Sequence, residues 1–389
     1  MAALDKIRGI NFGNWLVLEK WISPDAFGDS PEEDETWLAR TLPPEELQER
    51  MTRHRTSYIT EEDFRLVAQH GYNLVRLPVP YFVFGDRPPF LGCVDCLDNA
   101  FTWAERYGLQ ILLDLHTVPG GQNGYDNGGL VGVCKWHKDP GEVNFALSVL
   151  ERLARRYGTR PGLYGIEVLN EPISFLVYRT SGTTGKAKDK QEAKGSRHVP
   201  LSFLKEFYRR AYRTLRAVLP ADKVIVFHDG FRLSRWKDFF RREGMENVLL
   251  DTHIYLFAME YFLPVSFPWI YRLYVALEKR KIQKAARWTP VVVGEWCIEC
   301  RYPFDRADRK GRDDTEKQAI RRQEYRRVAA LQRQAWETSQ GWIYWTYQMD
   351  RDPDGPMRLN QFGHKCMEAW SMRQLWKHGW WPEESDAQS

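Results

Sequence analysis

The sequence predicts a single closed (β/α)8 barrel, and three observations carry that expectation. Eight short apolar runs recur along the 389 residues: Ile7–Phe12, Tyr72–Leu77, Leu109–Leu115, Leu163–Leu169, Lys223–His228, Val248–His253, Pro290–Glu295 and Trp342–Trp345. Most are rich in Val, Ile and Leu without alternation, the pattern of strands buried on both faces of a parallel sheet. Helical patterns lie between them, at Glu61–His70, Asp95–Tyr107, Gly141–Tyr157, Leu201–Leu219, Leu233–Arg242, Trp269–Ala286, Thr315–Thr338 and Lys365–Trp376. Eight strands alternating with eight helices suit a barrel. Finally, the alternative of an open doubly wound sheet would place a glycine-rich phosphate turn after its first strand. Gly13-Asn14-Trp15 stands there instead, with no GxGxxG. One domain over residues 1–389 is expected, because no linker divides the chain.

Composition narrows the class. Charged residues make up 28% and hydrophobic ones 43%, with a net charge of +4 spread along the chain. No concentrated basic patch marks a nucleic-acid partner. The chain holds 16 Trp, 18 Tyr and 20 Phe, more aromatic surface than a core alone requires. A cleft that stacks the flat apolar faces of sugar rings would use it. Met1–Ile10 carries Asp5, Lys6 and Arg8 and no apolar stretch of the secretory kind. The aromatic segment Tyr255–Ala276 is interrupted by Glu260, Pro264, Pro268 and Arg272, so no run crosses a bilayer. A cytoplasmic protein with no membrane partner is the expectation, its oligomeric state open. Two Cys-x-x-Cys pairs, 93/96 and 297/300, invite a zinc reading, but neither sits in a small-finger context. Buried free thiols are expected for these and for Cys134 and Cys366.

Taken in order, the strands deliver chemistry at their C-terminal ends. The first leads into a long connection, Gly13–Thr60, that carries Trp15, Glu19 and Trp21. The second ends near Arg76, the third at Asp114-Leu115-His116, and the fourth at Asn170-Glu171, where Pro172 stops the sheet ladder. A second long connection, 173–200, follows. Its middle is almost all Ser, Thr, Gly, Lys, Asp and Gln, so it reads as a mobile insertion, either a lid over the site or an inert loop. The sixth strand ends at Asp251-Thr252-His253-Ile254-Tyr255, the seventh at Gly294-Glu295-Trp296, the eighth at Trp345. Each has a bland reading alone: a solvated acid, a core histidine, a packed indole. In a barrel all of them converge on one mouth.

Glu171 and Glu295 then form the pair of carboxylates that glycoside hydrolysis needs, one protonated to donate to the leaving oxygen and one ionised to attack the anomeric carbon. Arg76, His253 and Tyr255 are donors suited to keep Glu295 charged, Asn170 suits a sugar hydroxyl, and Trp345 offers a platform below the ring. The set Arg76, His116, Asn170, Glu171, His253, Tyr255, Glu295 and Trp345 resembles glycoside hydrolase family 5, of the retaining clan of (β/α)8 glycosidases, from roughly Arg8 to Trp376. The resemblance implies that Glu171 is the acid/base and Glu295 the nucleophile, with no cofactor and no metal.

Finer matches point to an exo-acting branch. Arg8-Gly9-Ile10-Asn11-Phe12-Gly13-Asn14-Trp15-Leu16-Val17-Leu18-Glu19, and Gln122-Asn123-Gly124-Tyr125-Asp126-Asn127-Gly128, resemble exo-β-1,3-glucanases, in which the residue matching Glu19 binds outer hydroxyls of the terminal sugar. The chain departs from them at Gly132-Val133-Cys134-Lys135-Trp136-His137. That departure is more similar to a bacterial intracellular branch with β-mannosidases. The favoured expectation is therefore a retaining exo-β-mannosidase on short oligosaccharides such as mannosyl-β-1,4-N-acetylglucosamine, with an exo-β-1,3-glucanase or β-glucosidase as the alternative. Glu19, Asn123, Trp136 and the loop after Glu171 are expected to wall off one end of the cleft. Two remoter readings stand beside these: a metal-dependent barrel hydrolase using His116, His253 and the carboxylates, and a sugar-binding barrel without turnover.

Overall fold

The computed structural model describes residues 4–183, 185–263, 266–349 and 367–382. Eight parallel strands close in sequence order: β1 (Ile7–Asn11), β2 (Leu74–Val79), β3 (Gln110–Leu115), β4 (Leu163–Glu167), β5 (Val224–His228), β6 (Val248–His253), β7 (Val291–Glu295) and β8 (Gly341–Tyr344). The ring is sealed where β1 pairs with β8, from Ile7↔Gly341 to Ile10↔Tyr344. Every strand expected from the sequence is present, displaced by two residues at most at its start.

Six of the expected helices are continuous, at Glu61–Gln69, Val94–Tyr107, Pro140–Tyr157, Leu201–Arg216, Pro268–Ala285 and Asp314–Trp336. Two expectations need correction. Leu233–Arg242 is not one helix but a 3-10 turn, Leu233–Trp236, and a single helical turn, Phe239–Arg242. Asp238 stands between them at φ 60, a left-handed backbone that no right-handed helix accommodates. The last helix runs over Met372–His378, later than Lys365–Trp376; Ser371 caps it by accepting from the Gln374 N–H (3.4 Å), and residues 365 and 366 lie outside those described.

The inward positions explain how the barrel carries chemistry. Successive side chains of a strand face opposite sides, so every second residue points into the barrel. Low in the barrel those positions hold Ile7, Leu74, Leu112, Val226, Leu249, Val292 and Ile343, a closed apolar layer. Two residues further along, the same strands supply Arg76, Asp114, His228 and Asp251, all fully buried. Another step gives His116 and His253, while Trp345 stands one step beyond Ile343. The site is thus the polar upper storey of a plugged barrel, at the C-terminal ends of the strands. The rest of the core packs between strands and helices.

Both long connections contain secondary structure absent from the sequence reading. The connection after β1 holds helices Glu35–Thr41 and Pro44–Ser57, and the one after β4 holds Phe175–Thr180 and Lys190–Ala193. Among the described residues no helix is long and apolar enough to cross a membrane. Cys93, Cys96, Cys134, Cys297 and Cys300 are free thiols, all but Cys96 buried; Cys366 lies outside the described residues.

Candidate active site

Arg76 is the hub. Its fully buried guanidinium donates to Glu167 Oε2 (2.7 Å), Glu295 Oε1 (2.9 Å), Asn170 Oδ1 (2.9 Å) and Asn11 Oδ1 (3.0 Å), and lies 3.1 Å from Asp114 Oδ2. One cation thus faces three carboxylates. Burial wins over Arg76 at Glu167 and holds that carboxyl well above its ordinary range. Because arginine only donates, the contact fixes the Asn170 amide with its oxygen inward. The Asn170 NH2 then lies 3.4 Å from His116 Nε2. His116 Nδ1 is held by Asp114.

Glu171 and Glu295 meet at His253. Its Nδ1 is 2.8 Å from Glu171 Oε1 and 3.4 Å from Glu295 Oε2, and its Nε2 is 3.3 Å from Asp251 Oδ2. These carboxylates, Glu295 and Asp251 foremost, overcome burial and push the imidazole well above its ordinary value, so His253 is a cation with a proton on each nitrogen. Gly294 makes the arrangement possible. A Cβ there would stand 2.0 Å from Asp251 Oδ2, whereas the glycine N–H donates to Asp251 Oδ1 at 2.7 Å.

The two distances to Nδ1, laid end to end, bound the separation of the facing oxygens. That bound admits the roughly 5–5.5 Å between the carboxyl groups of a retaining pair. Glu295 takes further donors, Arg76 and the Tyr255 hydroxyl (2.6 Å to Oε2). Burial still raises its pKa, against the pull of His253 and Arg76. Glu171 sits at φ 44, a left-handed conformation that a residue with a side chain adopts rarely. Burial opposes its charge, but hydrogen bonds from His253 and from Asn127 Nδ2 (3.1 Å to Oε2) outweigh it and lower its pKa.

The other expected residues divide. Glu19 is 4% exposed and turned toward this pair. Its Oε2 accepts from Trp21 Nε1 (2.9 Å), while Oε1 has no partner. Burial, and then the charges of Asp126, Glu295 and Glu171, push it well above its ordinary value. The carboxyl of Asp126 is itself raised to about 6 by burial. Trp345 lies parallel to His116, rings 5.7 Å apart with planes 8° from parallel. Asn123 acts at one remove: it donates to Asn127 Oδ1 (3.0 Å) and so orients the amide that reaches Glu171. Trp136 is placed elsewhere. It is 1% exposed, packs edge-on against Phe203 and Phe207 of the Leu201–Arg216 helix, and donates to the Glu142 carbonyl (3.4 Å), so it is core behind the loop rather than cleft wall.

Sequence reasoning missed Asn11, Asn127, Glu167, His228 and Asp251. Asn127 lay inside a motif already noted. So did Asn11; Asp251 lies two residues before His253 and His228 ends the fifth apolar run, while Glu167 carried no signal beyond its place in the fourth. Glu171, His228 and His253, and likewise Glu167, Asp251 and His253, offer atoms within 4.8 Å of one another, spacings a metal would accept. Both nitrogens of His253 face carboxylates, Nδ1 that of Glu171 and Nε2 that of Asp251.

A sequence profile described as Cellulase (glycosyl hydrolase family 5) matches residues 43–346. The chain belongs to glycosyl hydrolase family 5. Among its relatives, a protein of Emericella nidulans named probable glucan 1,3-beta-glucosidase A is 30% identical over 417 residues, covering 97% of this chain and 90% of that one. The glucan 1,3-beta-glucosidase of Blumeria graminis is 30% identical over 386 residues, covering 90% and 84%. In three dimensions the chain is similar to the rutinosidase from Aspergillus niger, with TM-score 0.73, 19% identity and coverage of 97% and 99%. At that identity the likeness speaks for the fold alone. Membership makes the protein a glycoside hydrolase.

Proposed function

We propose that the protein is a retaining, exo-acting β-glucosidase that removes terminal glucose from β-1,3-linked oligosaccharides. The observation that carries the reaction type is the sharing of one His253 nitrogen by Glu171 and Glu295, which holds the two carboxyl groups close enough for double displacement. In the first step Glu295 attacks the anomeric carbon, the glycosidic bond breaks, and the departing oxygen takes a proton from Glu171. In the second, Glu171 takes a proton from water, the water oxygen attacks, and Glu295 leaves. Two inversions give retention. The proton for the first step has a source in the resting site: passing it from His253 Nδ1 to Glu171 along their 2.8 Å contact leaves a neutral imidazole, a protonated acid and an ionised nucleophile.

Exo action is supported by Glu19. An unpartnered, buried carboxylate oxygen beside the reacting pair is an acceptor for outer hydroxyls of a terminal sugar. For the sugar itself, the mannoside preference expected from the sequence gives way. The relatives named glucan 1,3-beta-glucosidase support the glucoside instead.

The test compares p-nitrophenyl β-glucoside, p-nitrophenyl β-mannoside and laminaribiose, each with and without EDTA. Faster turnover of the glucoside and release of glucose from laminaribiose, unaffected by EDTA, are expected. Preference for the mannoside would restore the earlier reading of the sugar. Loss of activity in EDTA would restore the metal reading.

A further inference from the structure

One buried titratable side chain beside the acid/base takes no part in the chemistry above. His228 ends β5 and is 0% exposed. Its Nδ1 faces the Gly230 backbone N–H at 2.9 Å. A backbone amide only donates, so Nδ1 must hold a lone pair, and the ring's hydrogen is on Nε2. That N–H has no acceptor. The ring stands edge-to-face with His253, centroids 4.4 Å apart at 74°. A ring nitrogen of His228, a nitrogen of His253 and an oxygen of Glu171 lie within 4.8 Å of one another.

The surroundings forbid a second proton. Burial first, then the charges of His253 from β6, Arg76 from β2, Arg232 from the loop after β5 and His116 from β3, hold His228 well below its ordinary value. Asp229 is 3.9 Å from Nδ1 and does not reverse this. Glu171, for its part, feels His253 as a cation, and it shares the mouth with His116, the carboxyl groups of Glu295 and Glu19 and the Tyr125 hydroxyl. Arg76 is committed to its own carboxylates, so His228 is a neutral dipole fixed in one tautomer beside the pair that moves the catalytic proton.

We propose that His228 is a positioning residue for the acid/base: its Nε2–H dipole favours the more negative state of the Glu171–His253 pair, and so eases the departure of the proton to the leaving group. The inference rests on Glu171 being the acid/base. The dipole acts with the same sign on both members, because it stabilises the Glu171 carboxylate and destabilises the His253 cation. Removing it raises the apparent pKa that belongs to the pair.

Two substitutions separate this role from a structural one. In His228→Asn the amide oxygen takes the place of Nδ1 and keeps the Gly230 contact, but nothing replaces Nε2–H. In His228→Gln the amide NH2 reaches the place of Nε2. The expected result is that the basic limb of kcat/KM for an aryl β-glycoside moves to higher pH in His228→Asn, by about half a unit, and returns toward wild type in His228→Gln. A uniform loss of activity with the limb unmoved would overturn the proposal and leave His228 a packing residue. If neither variant folds, histidine ¹⁵N NMR of the wild-type protein decides: His228 should show the Nε2–H tautomer from pH 5 to 8, and an Nδ1–H form or an imidazolium there would overturn it. Glu171→Ala is the control for the reading beneath. If it keeps the basic limb, the acid/base assignment fails; if it loses the limb while His228→Asn does not move it, only the role of His228 fails.

Discussion

His253 decides what each glutamate does near neutral pH. It pairs with Glu171 more closely than with Glu295, and its charge is secured by Asp251 behind it. The proton used in catalysis therefore belongs to the pair rather than to Glu171 alone. Glu295 must be ionised to attack, and burial raises its pKa, so kcat/KM should climb with pH through a limb above the roughly 4.3 of an ordinary glutamate. A pH profile on an aryl β-glucoside checks this; an acid limb at pH 4 or below contradicts it. The division of labour is tested by removing each carboxylate. A 2,4-dinitrophenolate leaves without a proton, so Glu171→Ala should still form the glycosyl–enzyme, accumulate it, and be rescued by azide as the β-glycosyl azide. Glu295→Ala should show no burst, and any azide product should be the α-anomer. The opposite anomers, read by NMR, would reverse the roles. Arg76 carries a different load. Arg76→Met leaves Asp114, Glu167 and Glu295 without their common cation, and should cost about 3–5 kcal/mol of stability as well as activity. Chemical denaturation measures it, and a loss under 1 kcal/mol would mean that the carboxylates protonate and need no cation.

At the scale of elements, what was legible in the sequence followed from periodicity. Buried parallel strands are apolar on both faces, so eight runs stood out and their ends could be read for chemistry. Arg76, Asn170, Glu171, His253 and Glu295 sit at such ends, and the structure gathers them around one another. One residue a storey lower was obscured for the same reason: Glu167 falls inside a run that otherwise looks like uninterrupted core. Trp136 misled because an indole in a loop has the same letter whether it faces a sugar or Phe207. Three of the four loop helices escaped because they are short and set by caps: the Asp34 carboxylate accepts from the Trp37 N–H (2.8 Å), and that of Asp189 from the Gln191 N–H (2.7 Å). One glycine in the first loop matters more than its neighbours suggest. A Cβ on Gly13 would stand 2.8 Å from the Trp345 ring, and the Gly13 N–H donates to Thr346 Oγ1 at 3.2 Å. Gly13→Ala should push the Trp345 indole off His116 and lower kcat/KM about tenfold, a transition-state loss of ~1.4 kcal/mol. Unchanged kinetics and tryptophan fluorescence would show that the ring has room to yield.

At the scale of the whole molecule, three loops are joined into a wall on the side of the barrel that holds Glu19. The Thr36 N–H donates to the Gly129 carbonyl (3.2 Å), and the Val131 N–H donates to Asp34 Oδ2 (2.8 Å), tying the loop after β1 to the loop after β3. Arg40 pairs with Glu192 at 2.9 Å, and Lys188 with Glu32, tying both to the loop after β4. The two ion pairs are partly exposed and contribute little. Asp34 is 2% exposed and does two jobs, capping the Glu35–Thr41 helix and holding Val131. The expectation is that this wall, not the carboxylates, confines attack to a chain end. On a long linear β-1,3-glucan the wild-type protein should release glucose singly from the non-reducing end, while a label on the reducing end stays with the long fragment until late. Asp34→Ala removes the cap and the tie together, at a cost of about 1 kcal/mol for the cap. Glu171 follows β4 and Glu295 ends β7, strands Asp34 does not touch, so kcat should hold while KM for laminari-oligosaccharides rises several-fold. Chromatography of the labelled products and steady-state kinetics of the variant test both halves. Early appearance of short labelled fragments from the wild-type protein would show that the cleft is open at this end and that the wall does not limit the enzyme to chain ends.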